Sequence, residues 1–71
     1  MDANKCMEYI EKEFSLGCEG SRLIRKILDY AVDNLASQEE KETFILEMLD
    51  PIGFNEEDLE KLRQCGGLGE V

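Results

Sequence analysis

Apolar residues in this chain recur every three or four positions and nowhere alternate, and that spacing restricts the fold to packed helices. Glycine and proline cut the pattern into four stretches joined by short connections. The sequence therefore predicts an all-α fold, a compact single-domain bundle of about four short helices. The helical domain is expected over residues 1–65, with 66–71 as a flexible C-terminal tail in which Leu68 has nothing to hold it.

The first stretch runs from Ala3 to Ser15, with Ala3, Cys6, Met7, Ile10 and Phe14 on one stripe. Gly17-Cys18-Glu19-Gly20 reads as a loop, and Ser21 as the N-cap of a second helix from Arg22 to Ala36. Leu23, Ile24, Ile27, Leu28, Tyr30, Ala31, Val32 and Leu35 cover ~200° of that helix's circumference, which predicts a central helix touched on more than one side. Ser37-Gln38-Glu39-Glu40 is a capping box that opens a third helix to Leu49, with Phe44, Ile45, Met48 and Leu49 facing inward. Asp50-Pro51 stops it, because the residue before proline avoids the α region. Ile52 and Phe54 are expected to plug the core from the loop. Asn55 caps a fourth helix, Glu56 to Gln64, with Leu59 and Leu62 inward and Gly66 as its stop.

Several chemistries are improbable for such a chain. It has 71 residues and no histidine, so the commonest general base and the commonest metal ligand are missing. Ser-His and Cys-His nucleophile pairs are impossible within it. Three cysteines, Cys6, Cys18 and Cys65, are an odd number without CxxC spacing, which predicts reduced thiols that mostly fill the core. A Cys18–Cys65 bridge stays open, since both flank glycines at helix ends. Carboxylate pairs are abundant, but a bundle this small has little room for a pocket that raises one pKa. No catalytic residues, metal site or cofactor are expected. The start, Met1-Asp2-Ala3-Asn4-Lys5, leads into an acidic amphipathic stretch and lacks a signal peptide's basic-then-apolar order, so the chain reads as cytoplasmic and soluble.

Charge is the most uneven property. Seventeen acids face eight bases, a net charge of −9, which argues against direct binding of nucleic acid or anionic membranes. Residues 37–71 carry ten acids and three bases, whereas residues 1–36 carry seven and five. Glu39, Glu40, Glu42 and Glu47 on the third helix and Glu56, Glu57, Asp58 and Glu60 on the fourth are the candidate partner-binding residues. Most of them also sit in first turns, where carboxylates favour the helix dipole and need no partner. Arg22, Arg25 and Lys26 form a secondary basic patch, predicted in the opening turns of the second helix, where the dipole disfavours cations. Arg25–Asp29 and Lys26–Asp29 pairs would answer that conflict internally, and a docking patch would answer it externally.

Gly20-Ser21-Arg22 following Leu16-Gly17-Cys18-Glu19 resembles the region of acyl carrier proteins in which a serine at a helix start bears the prosthetic group. That resemblance implies a phosphopantetheine arm on Ser21. The family's Asp-Ser-Leu signature is replaced here by Gly20-Ser21-Arg22, and only one helix precedes the serine. Ile52-Gly53-Phe54 is similar to the loop of small ubiquitin-binding helical domains over three residues alone. The reading that uses most of the chain is a non-catalytic interaction module or inhibitor. Its acidic half would be steered to a basic protein surface, with mimicry of nucleic acid as the sharper version, and an apolar contact at Ile52, Phe54 or Tyr9 would fix register. The other alternative is a homo-oligomeric module that buries the wide apolar face of the second helix.

Overall fold

The computed structural model describes residues 1–68 and contains helices α1 (Ala3–Glu13), α2 (Cys18–Asn34), α3 (Gln38–Leu49) and α4 (Glu56–Gln64), with a 3₁₀ turn at Asp50–Ile52. It is an all-α bundle without strands among the described residues. α2 packs on both α1 and α3, and α3 packs on the 3₁₀ turn and α4. The Cα radius of gyration, 10.8 Å, is that of a fully collapsed chain. No helix among the described residues is long and apolar enough to cross a membrane.

Each helix starts on a recognisable device. Asp2 caps α1, its Oδ1 accepting from the Asn4 N–H at 3.0 Å and the Lys5 N–H at 3.2 Å. Capping boxes open α3 and α4, with Ser37 paired to Glu40 and Asn55 to Asp58, as the sequence predicts. α2 differs. It begins at Cys18 with Gly17 as N-cap, so Gly20 and Ser21 lie inside the helix, and the Ser21 N–H donates to the Gly17 carbonyl at 2.9 Å. Gly20 in a helix costs about 1 kcal/mol relative to alanine. Against that, the earlier start adds a turn and puts the Glu19 carboxylate at the positive end of the dipole. The expected Gly17–Gly20 loop is therefore helix from Cys18 onward, and Arg22, Arg25 and Lys26 fall in the second and third turns, where the dipole conflict disappears. α1 and α2 end at Glu13 and Asn34, each two residues short of the predicted bound.

The core is drawn from narrow stripes. Ile24, Ile27, Leu28 and Ala31 of α2 meet Cys6, Met7 and Ile10 of α1, with Ile45 and Leu49 of α3 and Leu59 and Leu62 of α4 completing it. The wide apolar arc predicted for α2 does not translate into burial: Leu23 is 60% exposed, Tyr30 50%, and Val32 is also exposed. Met48, expected inward, is 47% exposed because it lies ~100° around the helix from Leu49. Phe54 does plug the core, packed near Phe14 with ring centroids 6.2 Å apart, while Ile52 stays at the rim.

The largest departure is at the C-terminal end. Gly66 takes a left-handed φ of 86°, the Gly66 N–H donates to the Arg63 carbonyl at 3.2 Å, and the Gly67 N–H reaches back to the Leu62 carbonyl at 2.9 Å. These paired bonds form a Schellman turn, which reverses the chain and delivers Leu68 into the core, where it is fully buried. The Gly67 carbonyl accepts from the Asp2 N–H at 2.7 Å, and the Leu68 carbonyl from Gln38 Nε2 at 2.9 Å. Residues 66–68 are thus bound to α1 and α3 and are no free tail. The rest of the predicted tail, 69–71, lies outside the described residues.

Candidate functional site

The eight carboxylates singled out by charge divide into two groups once the helices pack. Glu42 and Glu60 are held by Arg63: its Nη2 meets Glu42 Oε1 at 2.5 Å, its Nε donates to Glu42 Oε2 at 3.3 Å, and its Nη1 meets Glu60 Oε1 at 2.6 Å. Gln38 Nε2 adds a bond to Glu42 Oε2 at 3.1 Å. The Arg63 hydrogen bonds, with a smaller contribution from Gln38, hold the Glu42 carboxyl below the usual carboxylate range. Asp58 is occupied too: it closes the α4 capping box and accepts from the Tyr9 hydroxyl at 2.8 Å. Partial burial and this bond push the Tyr9 phenol up to about 12. Tyr9 therefore ties α1 to α4. Glu40 caps α3, accepting from the Ala36 and Ser37 N–H groups.

Glu39, Glu47, Glu56 and Glu57 remain exposed, without an ion pair or side-chain hydrogen bond among the described residues. Glu39 and Glu47 lie on the outer face of α3. With Leu35, Glu40, Thr43 and Phe44 they line an open groove of about 440 Å³. Its apolar floor is Phe44, whose ring stacks on Tyr30 of α2 with centroids 5.2 Å apart. Glu56 and Glu57 stand apart from this groove, in the first turn of α4. Phe44 was expected inward; it is half-buried at the edge of the core and half in the groove. A signal for this was present, since its neighbours along the helix surface, Glu40 and Glu47, are acidic. Conversely, Phe54 and Tyr9, the expected apolar contacts, are respectively buried and bonded internally.

In the basic patch, Arg25 pairs with Asp29 at 3.3 Å on an exposed flank of α2. The expected Lys26–Asp29 pair does not form. Ser21, half-buried in the second turn of α2, is not at a helix start as the carrier resemblance requires. All three cysteines are free; Cys6 is buried, but Cys18 and Cys65 are exposed, so only one fills the core and no Cys18–Cys65 bridge exists. A second groove, of about 310 Å³, is lined by Lys5, Glu8, Tyr9, Lys12 and Cys65. Among the described residues no three His, Cys, Asp or Glu side chains are placed to hold a metal ion. Every buried side-chain polar atom among them is hydrogen-bonded.

Comparison with protein-family models, with curated proteins and with solved structures yields no match.

Proposed function

We propose that this protein is a non-catalytic binding module of the cytoplasm whose acidic, aromatic-floored groove on α3 receives a basic amphipathic segment of a partner protein. The observation that carries the reading is the meeting of unneutralised Glu39 and Glu47 with the Phe44 ring in a single groove, Tyr30 of α2 backing that ring. Lys and Arg side chains have apolar stems and charged heads. Such a side chain lays its stem on Phe44 and its head against Glu39 or Glu47. Long-range attraction to a chain of net charge −9 raises the encounter rate, and the aromatic contact fixes register. A protein whose basic surface ordinarily holds nucleic acid is the narrower partner class, and competition with a DNA duplex for that surface distinguishes it. A second copy of the chain is disfavoured as occupant, because two bodies of −9 repel.

The test uses an amphipathic helical peptide with Lys and Arg on one face and Leu on the other, titrated into isotope-labelled protein. Amide shifts concentrate at Glu39, Thr43, Phe44 and Glu47. The double variant Glu39→Lys/Glu47→Lys weakens binding by ~10-fold or more, about 1.4 kcal/mol. Glu11→Lys/Glu13→Lys, with the same change in net charge on exposed positions of α1, weakens it much less. Equal losses in both variants would reduce the groove to general charge attraction and end the proposal.

A further inference from the structure

Cys6 and Cys65 belong to opposite ends of the described chain, yet the fold brings both sulfurs up to Gly67. A Cβ on Gly67 would stand 3.1 Å from Cys6 Sγ and 3.5 Å from Cys65 Sγ, so both sulfurs border one small space that a glycine leaves open. The two thiols are unequal. Cys6 is fully buried, its S–H donating to the Gly67 carbonyl at 3.2 Å, and burial, with lesser contributions from Cys65 and Asp2, pushes its thiol up to about 12. Cys65 is exposed, with Sγ 3.4 Å from the Leu62 carbonyl, and it lines the second groove beside Lys5 and Lys12. Solvent and small oxidants reach Cys65, while Cys6 is shielded from them and can be reached by its neighbour.

We propose that Cys65 and Cys6 form a peroxide-sensitive thiol pair, with Cys65 as the site of oxidation and Cys6 as the thiol that resolves it. The Cys65 sulfur, as thiolate, attacks one oxygen of hydrogen peroxide; the O–O bond breaks, a sulfenic acid forms, and the departing hydroxide is protonated to water. The Cys6 sulfur then attacks the Cys65 sulfur; the S–O bond breaks, and the hydroxyl leaves with the Cys6 proton as a second water. Peroxide takes up two electrons, and the two thiols become one disulfide. The bond fastens the Schellman turn to α1 and removes the thiol from the lysine-lined groove. Transient disulfides of this kind are the sort found in reducing compartments.

The full-length reduced chain is exposed to a small excess of hydrogen peroxide, its remaining thiols are capped with N-ethylmaleimide, and its intact mass and peptides are analysed. Wild type and Cys18→Ser each lose two hydrogen atoms and yield a linked Cys6–Cys65 peptide, which dithiothreitol reverses. Cys6→Ser retains Cys65 as a sulfenic acid that dimedone traps. Cys6→Ala, which keeps the buried position apolar, gives the same readout should the serine variant fail to fold, as judged by helical circular dichroism. Cys65→Ser forms no internal bridge. A wild-type product with Cys65 over-oxidised and Cys6 still free, a bridge that includes Cys18, or a covalent dimer in place of the internal disulfide would overturn the proposal.

Discussion

The C-terminal turn at residues 65–68 and the outer face of α3 carry opposite lessons about hydropathy. Leu68, lone among glycines, belongs to no periodic stripe, yet it is fully buried. Phe44 and Met48 sit in the apolar run at the end of α3, yet they face partly or largely outward. The difference is one of where backbone geometry aims the side chain. A Schellman turn folds the chain back onto its own helix and points the following residue inward. On α3 the line Ile45–Leu49 already fills the side that meets the other helices, and residues one position off that line rotate away.

The contrast can be broken most directly at Leu68. Leu68→Ala is expected to cost about 2–5 kcal/mol in urea unfolding, as for any leucine emptied from a packed core; a loss below that range would return residues 66–68 to the status of a loose end. Gly67→Ala comes next, at about 1–3 kcal/mol, because the added methyl crowds the Cys6 sulfur at 3.1 Å and its backbone nitrogen at 3.4 Å. Phe44→Ala removes a larger side chain than Leu68→Ala but is expected to cost only ~1–2 kcal/mol, since the ring is half in solvent. Thermal melts of the three alanine variants side by side check that order.

Smaller effects sharpen the electrostatic half of the contrast. Glu42→Gln is expected to cost about 1 kcal/mol at neutral pH, discounted because Arg63 remains partly exposed. The folded Glu42 carboxyl lies below its ordinary 4.5, so its contribution is complete above that value and fades as pH falls through the folded value. Urea midpoints of wild type and Glu42→Gln should therefore converge in acid and separate above pH 4.5. Cys6 works in the other direction: its raised thiol contributes fully below 9.0 and is lost as pH rises toward about 12, so alkaline unfolding should be delayed in Cys6→Ala. Glu47→Lys, on the open groove, is expected to change stability by less than ~0.5 kcal/mol.

Local rules made most of the helical framework legible. The two capping boxes and the Gly66 stop each depend on a few adjacent residues and stand where the sequence places them. Asp50 before Pro51, by contrast, keeps α-region angles (φ −53°, ψ −41°), and α3 passes into a 3₁₀ turn that ends at left-handed Gly53. The pre-proline restriction is therefore not what stops it. The start of α2 was not legible, because Gly20 reads as a breaker although one helical glycine is tolerated when the turn gains a favourable carboxylate at Glu19. The site was less legible still. Charge counting found Glu39 and Glu47, but it could not separate them from Glu42, whose neutralisation depends on Arg63 arriving from another helix. It also missed the Phe44 floor, whose backing by Tyr30 forms only when α2 and α3 pack.

The backbone bond between Asp2 and Gly67 has a consequence for synthesis. A chain emerging from the ribosome amino end first can coil α1, α2 and α3 early, but the position reserved for Leu68 stays wet until that residue clears the exit tunnel. This bundle consequently closes after translation of its last helix and not along the way, leaving the nascent form exposed to chaperones and proteases until then.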